Sequence, residues 1–402
     1  MTIADRWLLP EGIEEILPNR AIKIERLRRR LLDLCHLWGY DLVIPPLAEF
    51  TESLLSGSGA DLDLMTFKVT DQLSGRTLGV RADITPQVAR MDAHSLYRKG
   101  PSRLCYTGHV LYTRPKTALE TRSPFQLGVE LFGEEGLEAD IEVITLLVET
   151  LRLAGLGKIH LDLGHVAIYR ELELAANLDD EGCRKLCALL QAKDASLPAW
   201  LDKHIGDGKL RAMLAALPSL TGDKGVLERA AKALQGAPQP VFKALEELDN
   251  LIQVLARRVP EVEIFLDLGE LHGYHYHTGL VFAAYAPESV IALGNGGRYD
   301  HVGEAFGRAR PATGFGVDLG LIATLVEQEE EIVPGIYVPA LGSGAIEGEI
   351  ARLRRAGERV VCGFRGQRPD FEELHCDRVL VATDNDVKVI AALDYSDRAG
   401  SE

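Results

Sequence analysis

A long helical segment interrupts the predicted strands of this chain, and this interruption limits the possible folds more than any other feature. Strands are predicted at residues 103–113 and Phe125–Phe132, and strands return only at 263–268. Between them, residues 165–258 have helical apolar periodicity broken by polar and proline-containing turns. We therefore predict a helical insertion at 165–258, inside a domain built from strands on both sides of it.

The remaining periodic segments complete this domain. Spacing of apolar residues and start and stop signals predict helices at 20–38, 85–94 and Leu137–Ala154. Alternation and turn residues predict strands at 40–47, 67–71, 77–81, 159–163, 279–285 and 289–294, with a glycine-rich turn at 294–297. A strand followed by a helix is predicted at 314–326.

A second, smaller unit is predicted at the end of the chain. A single core stops growing at roughly 250–300 residues, and this chain has 402. The acidic run 327–331 is typical of a linker. We therefore predict one domain at 1–326 and a small α/β unit at 332–402, with a frayed tail from about Asp394.

Charge and cysteine content narrow the function classes. The formal net charge is −16, which disfavours nonspecific binding to nucleic acid because phosphate contacts need Lys and Arg. The six cysteines include no C-x-x-C pair, so neither a zinc site nor a disulfide framework is predicted. No signal peptide or membrane-spanning run is recognised. We expect a cytoplasmic protein that binds neither membranes nor tRNA.

Two motifs invite a metal or cofactor interpretation. His272, His275 and His277 lie close together in sequence, and imidazoles are common metal ligands. Without a nearby cysteine, lining of a binding pocket is the favoured interpretation. Gly342, Gly344 and Gly348 do not have the spacing of a dinucleotide-binding turn, and the next predicted strand does not end in the acidic residue of such a site. We therefore predict no metal and no cofactor.

Polar residues on or beside predicted strands form a third candidate site. Asp83, Gln126 and Glu130 are adjacent to apolar positions that should face the core. Buried acids are costly unless they are paired, so a cationic small molecule would fit them. Ordinary salt bridges are an equal alternative, with the available partners being Arg81, Arg90, Arg114 and Arg122.

The order of these motifs resembles the class II aminoacyl-tRNA synthetases, in the histidyl version. Residues 39–49 resemble motif 1, the dimer interface of that family, and 106–130 resemble motif 2. Residues 272–279 resemble the histidine-specific loop, 296–300 the Gly-Gly-Arg-Tyr-Asp turn and 311–321 motif 3. The resemblance spans nearly all of residues 5–326. It implies an α+β fold, in which helices flank an antiparallel sheet.

Departures from the family pattern fall on its positive charges. Laid on the pattern without gaps, the arginine positions of motif 2, motif 3 and the histidine loop hold Tyr112, Leu321 and His272. Such arginines neutralise developing charge during adenylation. Their loss implies that no catalytic residues remain, although a shift of one or two residues would return Arg114 to the motif 2 position.

The positions that hold histidine in the family are better preserved. The resemblance implies a histidine pocket formed by Asp83, Thr85, Gln126, Glu130, His272, Tyr276, His277 and Tyr299. His277 replaces a family tyrosine.

Retained recognition, lost catalysis and a short C-terminal unit together resemble the ATP phosphoribosyltransferase regulatory subunits. That family implies a homodimer through motif 1, a short-form catalytic partner and feedback inhibition by L-histidine. The two alternatives are a free-standing histidine sensor and an active histidyl-tRNA synthetase.

Overall fold

The computed structural model describes residues 7–57, 60–115, 117, 120–271, 276–287, 289–326, 333–339, 344–364, 368–383 and 386–399. The chain separates into two compact units, Met1–Glu327 and Gln328–Glu402. Within the described residues, no helix combines the length and the apolar character needed to cross a membrane.

Twelve strands are formed by the described residues of the first unit. In chain order they are β1 (Asp41–Leu42), β2 (Ala48–Phe50), β3 (Phe67–Thr70), β4 (Thr77–Val80), β5 (Ser102–His109), β6 (Phe125–Phe132), β7 (His160–His165), β8 (Thr221–Gly222), β9 (Glu263–Asp267), β10 (Leu280–Tyr285), β11 (Gly294–Arg298) and β12 (Ala312–Asp318).

Nine of these described strands form one large sheet in the order β1-β5-β6-β12-β11-β10-β7-β9-β8. Its pairs are antiparallel except β1 with β5 and β7 with β9. The other three strands form a small antiparallel sheet in the order β2-β4-β3. The predicted hairpin at 67–81 is therefore confirmed.

The described residues of this unit also form helices, and the longest of them pack on one face of the large sheet. In chain order the helices are α1 (Pro18–Leu37), α2 (Thr51–Leu54), α3 (Ala60–Met65), α4 (Thr85–Arg90), α5 (Leu137–Ala154), α6 (Val166–Ala176), α7 (Asp180–Gln191), α8 (Leu197–His204), α9 (Gly208–Ala216), α10 (Gly225–Ala233), α11 (Gln239–Arg258) and α12 (Leu319–Leu325). A π-helical turn at Met91–Leu96 extends α4, and short 3₁₀ turns occupy Leu217–Ser219 and Val302–Phe306. The predicted α+β arrangement, with a sheet flanked by helices, is confirmed.

Strand β6 shows how the sheet separates the core from the candidate site. Leu127, Val129 and Leu131 are fully buried in the main hydrophobic core with α1, α5 and α11. Successive side chains of a strand point to opposite faces. Gln126 and Glu130 therefore lie on the other face, which we call the pocket face.

One predicted strand is much shorter than expected. The sequence predicts a strand over 40–47, but only Asp41 and Leu42 pair with β5. Pro45 and Pro46 have no backbone N–H to donate, which ends the ladder. The chain pairs again only from Ala48, in the small sheet.

The prediction of a glycine-rich turn is wrong, because Gly294–Arg298 form strand β11. The strand predicted at 289–294 is also wrong, because residues 289–293 form no strand. A Cβ on Gly296 would lie 2.0 Å from the carbonyl oxygen of Gly314 on β12. The two backbones approach so closely that only glycine fits, and the glycines mark this close approach instead of a turn.

The second unit is a small α/β sheet. Its elements are β13 (Gly335–Val338), α13 (Gly344–Arg355), β14 (Val360–Cys362), β15 (Cys376–Thr383), β16 (Asp386–Ala391) and α14 (Ala392–Ala399). The strand order is β14-β13-β15-β16. Where a frayed tail was expected, α14 forms because Tyr395 packs edge-on against Phe371, with ring centroids 6.3 Å apart.

Candidate functional site

A buried carboxyl group lies at the centre of the pocket face. Glu130 of β6 is 1% exposed. Its Oε1 accepts a hydrogen bond of 3.1 Å from the Tyr106 hydroxyl on β5, and its Oε2 accepts one from the Tyr299 hydroxyl. Tyr106 was missed by sequence reasoning. The strand register that would have found it pairs Tyr106 with Gly128 on β6, which places it beside Glu130.

Burial raises the pKa of Glu130 to about 8. Hydrogen bonds from Tyr299, Thr85 and Tyr106 oppose this rise, and the nearby charge of Asp83 adds to it. The carboxyl group therefore holds a proton near neutral pH. A bound cation would favour its ionised form, because opposite charges in a low-dielectric site attract strongly.

A second acid approaches the pocket from the segment before α4. Asp83 Oδ1 accepts hydrogen bonds from the backbone N–H of Thr85 at 3.2 Å and from its hydroxyl at 3.3 Å. The Thr85 hydroxyl also lies 3.3 Å from the Tyr106 hydroxyl. The negative charge of Asp83 raises the pKa of Tyr106 and Tyr276, after the larger effect of burial. Asp83 and Glu130 are therefore linked through the hydroxyl groups of Thr85 and Tyr106.

Aromatic side chains flank these two acids. The rings of Tyr276 and Tyr299 lie 5.1 Å apart, and His277 packs edge-on against Tyr276 at 5.4 Å. Burial lowers the pKa of His277 to about 4, so its ring is neutral at pH 7. The Tyr276 hydroxyl and His277 Nδ1 are buried, and neither has a hydrogen-bond partner in the described part of the chain.

Gln126 lies toward the other end of β6. Its Nε2 is 3.5 Å from the Tyr112 hydroxyl, and its buried Oε1 has no hydrogen-bond partner among the described residues. Tyr112 is itself 4% exposed. The structure thus brings one of the lost arginine positions next to a predicted histidine-binding residue.

Glycines allow these side chains to lie directly on the sheet. A Cβ on Gly314 would be 1.8 Å from Glu130 Oε2, and one on Gly128 would be 2.4 Å from the Tyr106 hydroxyl. A Cβ on Gly297 would be 2.8 Å from His277 Nδ1. The floor of the pocket is therefore backbone, and no larger residue fits there without displacing a polar group.

A buried ion pair positions Tyr299. The neighbouring Arg298 donates to Asp140 Oδ2 of α5 at 2.7 Å, and their side chains are 10% and 2% exposed. Asp300, on the other side, accepts from the Ala312 N–H at 3.0 Å and from the Thr278 hydroxyl at 2.8 Å. These contacts hold both neighbours of Tyr299 and thereby aim its hydroxyl at Glu130.

The arginines considered as salt-bridge partners lie elsewhere. Arg90 pairs with Glu49 at 2.7 Å, whereas Arg81 and Arg122 donate to backbone carbonyls. Arg114 is exposed. None of the four donates to Glu130 in the described structure, and the hydrogen bonds to that carboxyl group come from hydroxyls.

The remaining predicted positions are distributed as follows. Leu321 lies in the first turn of α12, where its N–H donates to Asp318 Oδ1 at 3.4 Å and its side chain packs against the main core. His272 and His275 lie outside the described residues. The described residues contain no cluster of three or more His, Cys, Asp or Glu side chains arranged to hold a metal ion.

The arrangement of this site suits a small polar molecule that bears a positive charge. Two acids can accept hydrogen bonds from a cationic nitrogen, aromatic rings flank it, and buried polar atoms are available for further contacts. The positions of the motif 2 and motif 3 arginines hold Tyr112 and Leu321, neither of which can neutralise a phosphate.

Comparison with known proteins agrees with this fold. The histidyl-tRNA synthetase family model matches residues 12–322. A solved histidyl-tRNA synthetase from Nostoc sp. PCC 7120 superposes with a TM-score of 0.72 at 16% identity, covering 98% of this chain and 99% of that one, and shows the fold alone. The first unit thus has the class II histidyl-tRNA-synthetase fold.

The second unit and the sequence as a whole identify the family more specifically. Residues 333–389 match the model of the C-terminal domain of the ATP phosphoribosyltransferase subunit HisZ. An ATP phosphoribosyltransferase regulatory subunit from Teredinibacter turnerae is 53% identical over 97% of this chain and all of its own, and one from Chromohalobacter salexigens is 52% identical over 97% and 99%. A structure from Bacillus halodurans, described as an ATP phosphoribosyltransferase regulatory subunit/histidyl-tRNA synthetase, has a TM-score of 0.82 at 28% identity, covering 94% of this chain and 99% of that one. The chain therefore belongs to the family of ATP phosphoribosyltransferase regulatory subunits.

Proposed function

We propose that this chain activates a short-form ATP phosphoribosyltransferase catalytic subunit and makes it sensitive to feedback inhibition by L-histidine, in the first step of histidine biosynthesis. The observation that supports this most is the pair of acids Glu130 and Asp83 on a fold whose phosphate-neutralising positions hold Tyr112 and Leu321. The chain itself would neither adenylate nor transfer an amino acid.

L-histidine is the proposed effector of the pocket. Its imidazole would lie against Glu130 and the rings of Tyr276 and Tyr299, and its amino group would lie near Asp83 and Thr85. His277, neutral at pH 7 because burial lowers its pKa, would supply a further polar contact. We also assign His272 and Gln126 to this pocket on the family resemblance.

A homodimer through the β1 edge is the second part of the proposal. Leu37, Leu42, Ile44 and Leu47 are 82%, 49%, 80% and 57% exposed, and we call these four residues the edge patch. Leu42 lies on the outer strand of the large sheet, Leu37 ends α1, and the other two follow the strand. Exposed apolar residues at such an edge mark interaction sites. A second copy of the chain is the proposed occupant. We place the complex in the cytoplasm, where six free thiols are typical.

The decisive experiment is a transferase assay with the short-form catalytic subunit. The rate is measured with and without this chain, and then across a histidine titration. We expect a large increase in rate on mixing and inhibition by histidine only in the mixture. An unchanged rate would refute the proposal. Histidine-dependent exchange of pyrophosphate into ATP by the purified chain would instead support an active synthetase.

A matched pair of variants assigns the inhibition to the pocket. Glu130→Gln removes the carboxyl group that a bound cation would ionise, and Glu135→Gln removes an exposed charge a few residues away on the loop after β6. Charge-assisted hydrogen bonds contribute about 1.5–3 kcal/mol. The first variant should need roughly 10- to 100-fold more histidine for inhibition, and the second should behave as the unmodified chain does. Equal sensitivity of both variants would place the effector elsewhere.

A further inference from the structure

One buried cation near the pocket has no described anion to balance it. Arg81 is 6% exposed. Its Nε donates to the His109 carbonyl at 2.8 Å and its Nη1 to the Pro45 carbonyl at 2.9 Å. In the described part of the chain, Nη2 has no hydrogen-bond acceptor and no carboxylate pairs with the guanidinium. Burial lowers the pKa of Arg81, which reflects the cost of a desolvated charge.

The guanidinium lies on the pocket face of the large sheet. A Cβ on Gly108 of β5 would be 2.1 Å from Arg81 Nη2, so Nη2 rests directly on that glycine. Gly108 is paired with Gln126 of β6, and directly opposed residues of antiparallel strands share a face. Arg81 Nη2 is therefore a neighbour of Gln126, whose buried Oε1 also has no partner among the described residues.

The pocket consequently has acidic groups at one end and a cation at the other. Glu130 lies at one end, where Asp83 is linked to it through two hydroxyl groups, and Arg81 lies beside Gln126 toward the other end. Such polarity suits a zwitterion better than a simple amine. The motif 2 and motif 3 arginine positions that the family resemblance assigns to negative groups hold Tyr112 and Leu321, whereas Arg81 lies on this face.

We propose that Arg81 and Gln126 form a carboxylate subsite of the pocket, so that its ligand is a free amino acid with a cationic side chain and not the corresponding decarboxylated amine. Arg81 Nη2 and Gln126 Nε2 donate to the carboxylate, and Gln126 Oε1 accepts from the amino group. This inference rests on the proposed function, since it concerns the same pocket.

The proposal is tested with L-histidine and histamine, which differ only in the carboxylate. Binding of each to the full chain is measured by calorimetry at constant pH and salt. A charge-assisted hydrogen bond to the carboxylate predicts that the unmodified chain binds L-histidine about 10- to 100-fold more tightly than histamine.

Two glycine variants provide a matched comparison. Gly108→Ala places a methyl group where Nη2 lies, whereas Gly316→Ala on β12 meets nothing within 4 Å. We expect Gly108→Ala to reduce the preference for L-histidine to near one by weakening histidine binding while leaving histamine binding unchanged. Gly316→Ala should keep the full preference. Gln126→Met, which leaves the backbone contacts of Arg81 intact, should reduce the preference as well, and thermal unfolding shows that each variant is folded.

The outcomes separate this inference from the proposed function. If the unmodified chain binds L-histidine and histamine equally well, the carboxylate subsite is wrong and the histidine pocket stands. Unchanged preference in both Gly108→Ala and Gln126→Met also overturns the subsite. If the unmodified chain binds neither molecule, the histidine pocket itself is wrong, and the subsite is wrong with it.

Discussion

The buried Glu130 carboxyl group should make the stability of the first unit depend on pH in a way that one substitution removes. Its pKa rises from an ordinary value of 4.5 to about 8 in the folded chain. Between these values the folded chain retains a proton that the unfolded chain has released. Because the folded state binds more protons there, the free energy of unfolding falls as the pH rises, and the fall ends above about pH 8.

The size of this effect follows from the two pKa values. They differ by about 3.5, and each pKa unit corresponds to 1.36 kcal/mol, so the complete effect is about 5 kcal/mol. About 4 kcal/mol of it should be lost by pH 8, where the folded group is half ionised. Glu130→Gln cannot ionise, so the difference in stability between the unmodified chain and this variant should change by that amount across the window.

Urea unfolding followed by tryptophan fluorescence measures this difference at half-unit steps from pH 5 to 8.5. All three tryptophans lie in the first unit, so the signal reports that unit. Comparison with Glu130→Gln cancels the contribution of other groups such as His277, and Glu135→Gln controls for loss of an exposed carboxylate. A stability difference between the unmodified chain and Glu130→Gln that stays constant from pH 5 to 8 would refute the reasoning.

Three further outcomes are expected. Tyr299→Phe removes a hydrogen bond that lowers the pKa of Glu130. In the same urea experiment, the pH range over which the free energy of unfolding falls should therefore extend to higher pH. A range that ends at lower pH contradicts this. Ile44→Glu in the edge patch should convert dimers to monomers in light scattering, whereas Leu73→Glu at the 98% exposed hairpin tip should not, and a dimer that survives the first change argues against the edge patch. Arg298→Met should cost about 3–5 kcal/mol in urea unfolding by leaving a buried acid unpaired, and adding Asp140→Leu should recover much of it; strictly additive losses would show that the two residues do not interact.

Local signals were sufficient to predict the elements that bury apolar side chains without interruption. The bounds of α5 and β6 agree with the prediction because Gly136 and Gly155 flank a continuous apolar helix, and because the backbone at Gly155 is left-handed with φ of 107°. The hairpin β3–β4 was predictable for a similar reason, since Gly75 adopts φ of 72° in its turn.

Elements that depend on distant backbone could not be predicted in this way. The glycines of β11 resemble a turn until Gly314 is known to lie beside them, a contact that no local pattern reveals. The same limit applies to the site. The family resemblance selected Glu130 and Asp83. The role of Tyr106 can be inferred only when the register of β5 with β6 is known. The burial of Arg81 depends on hydrogen bonds to carbonyl groups of two separate segments.

The backbone floor under Glu130, Tyr106 and His277 also restricts how this pocket can change during evolution. A larger residue in place of one of the glycines that form this floor displaces a side chain above it. The space available therefore restricts these positions to glycine. Changes in ligand or function must instead come from substitutions in the loops beside the sheet, which supply Asp83 and Tyr276. Enzymes and regulatory subunits can therefore share the same sheet. A change from one to the other requires substitutions only in the loops around the pocket.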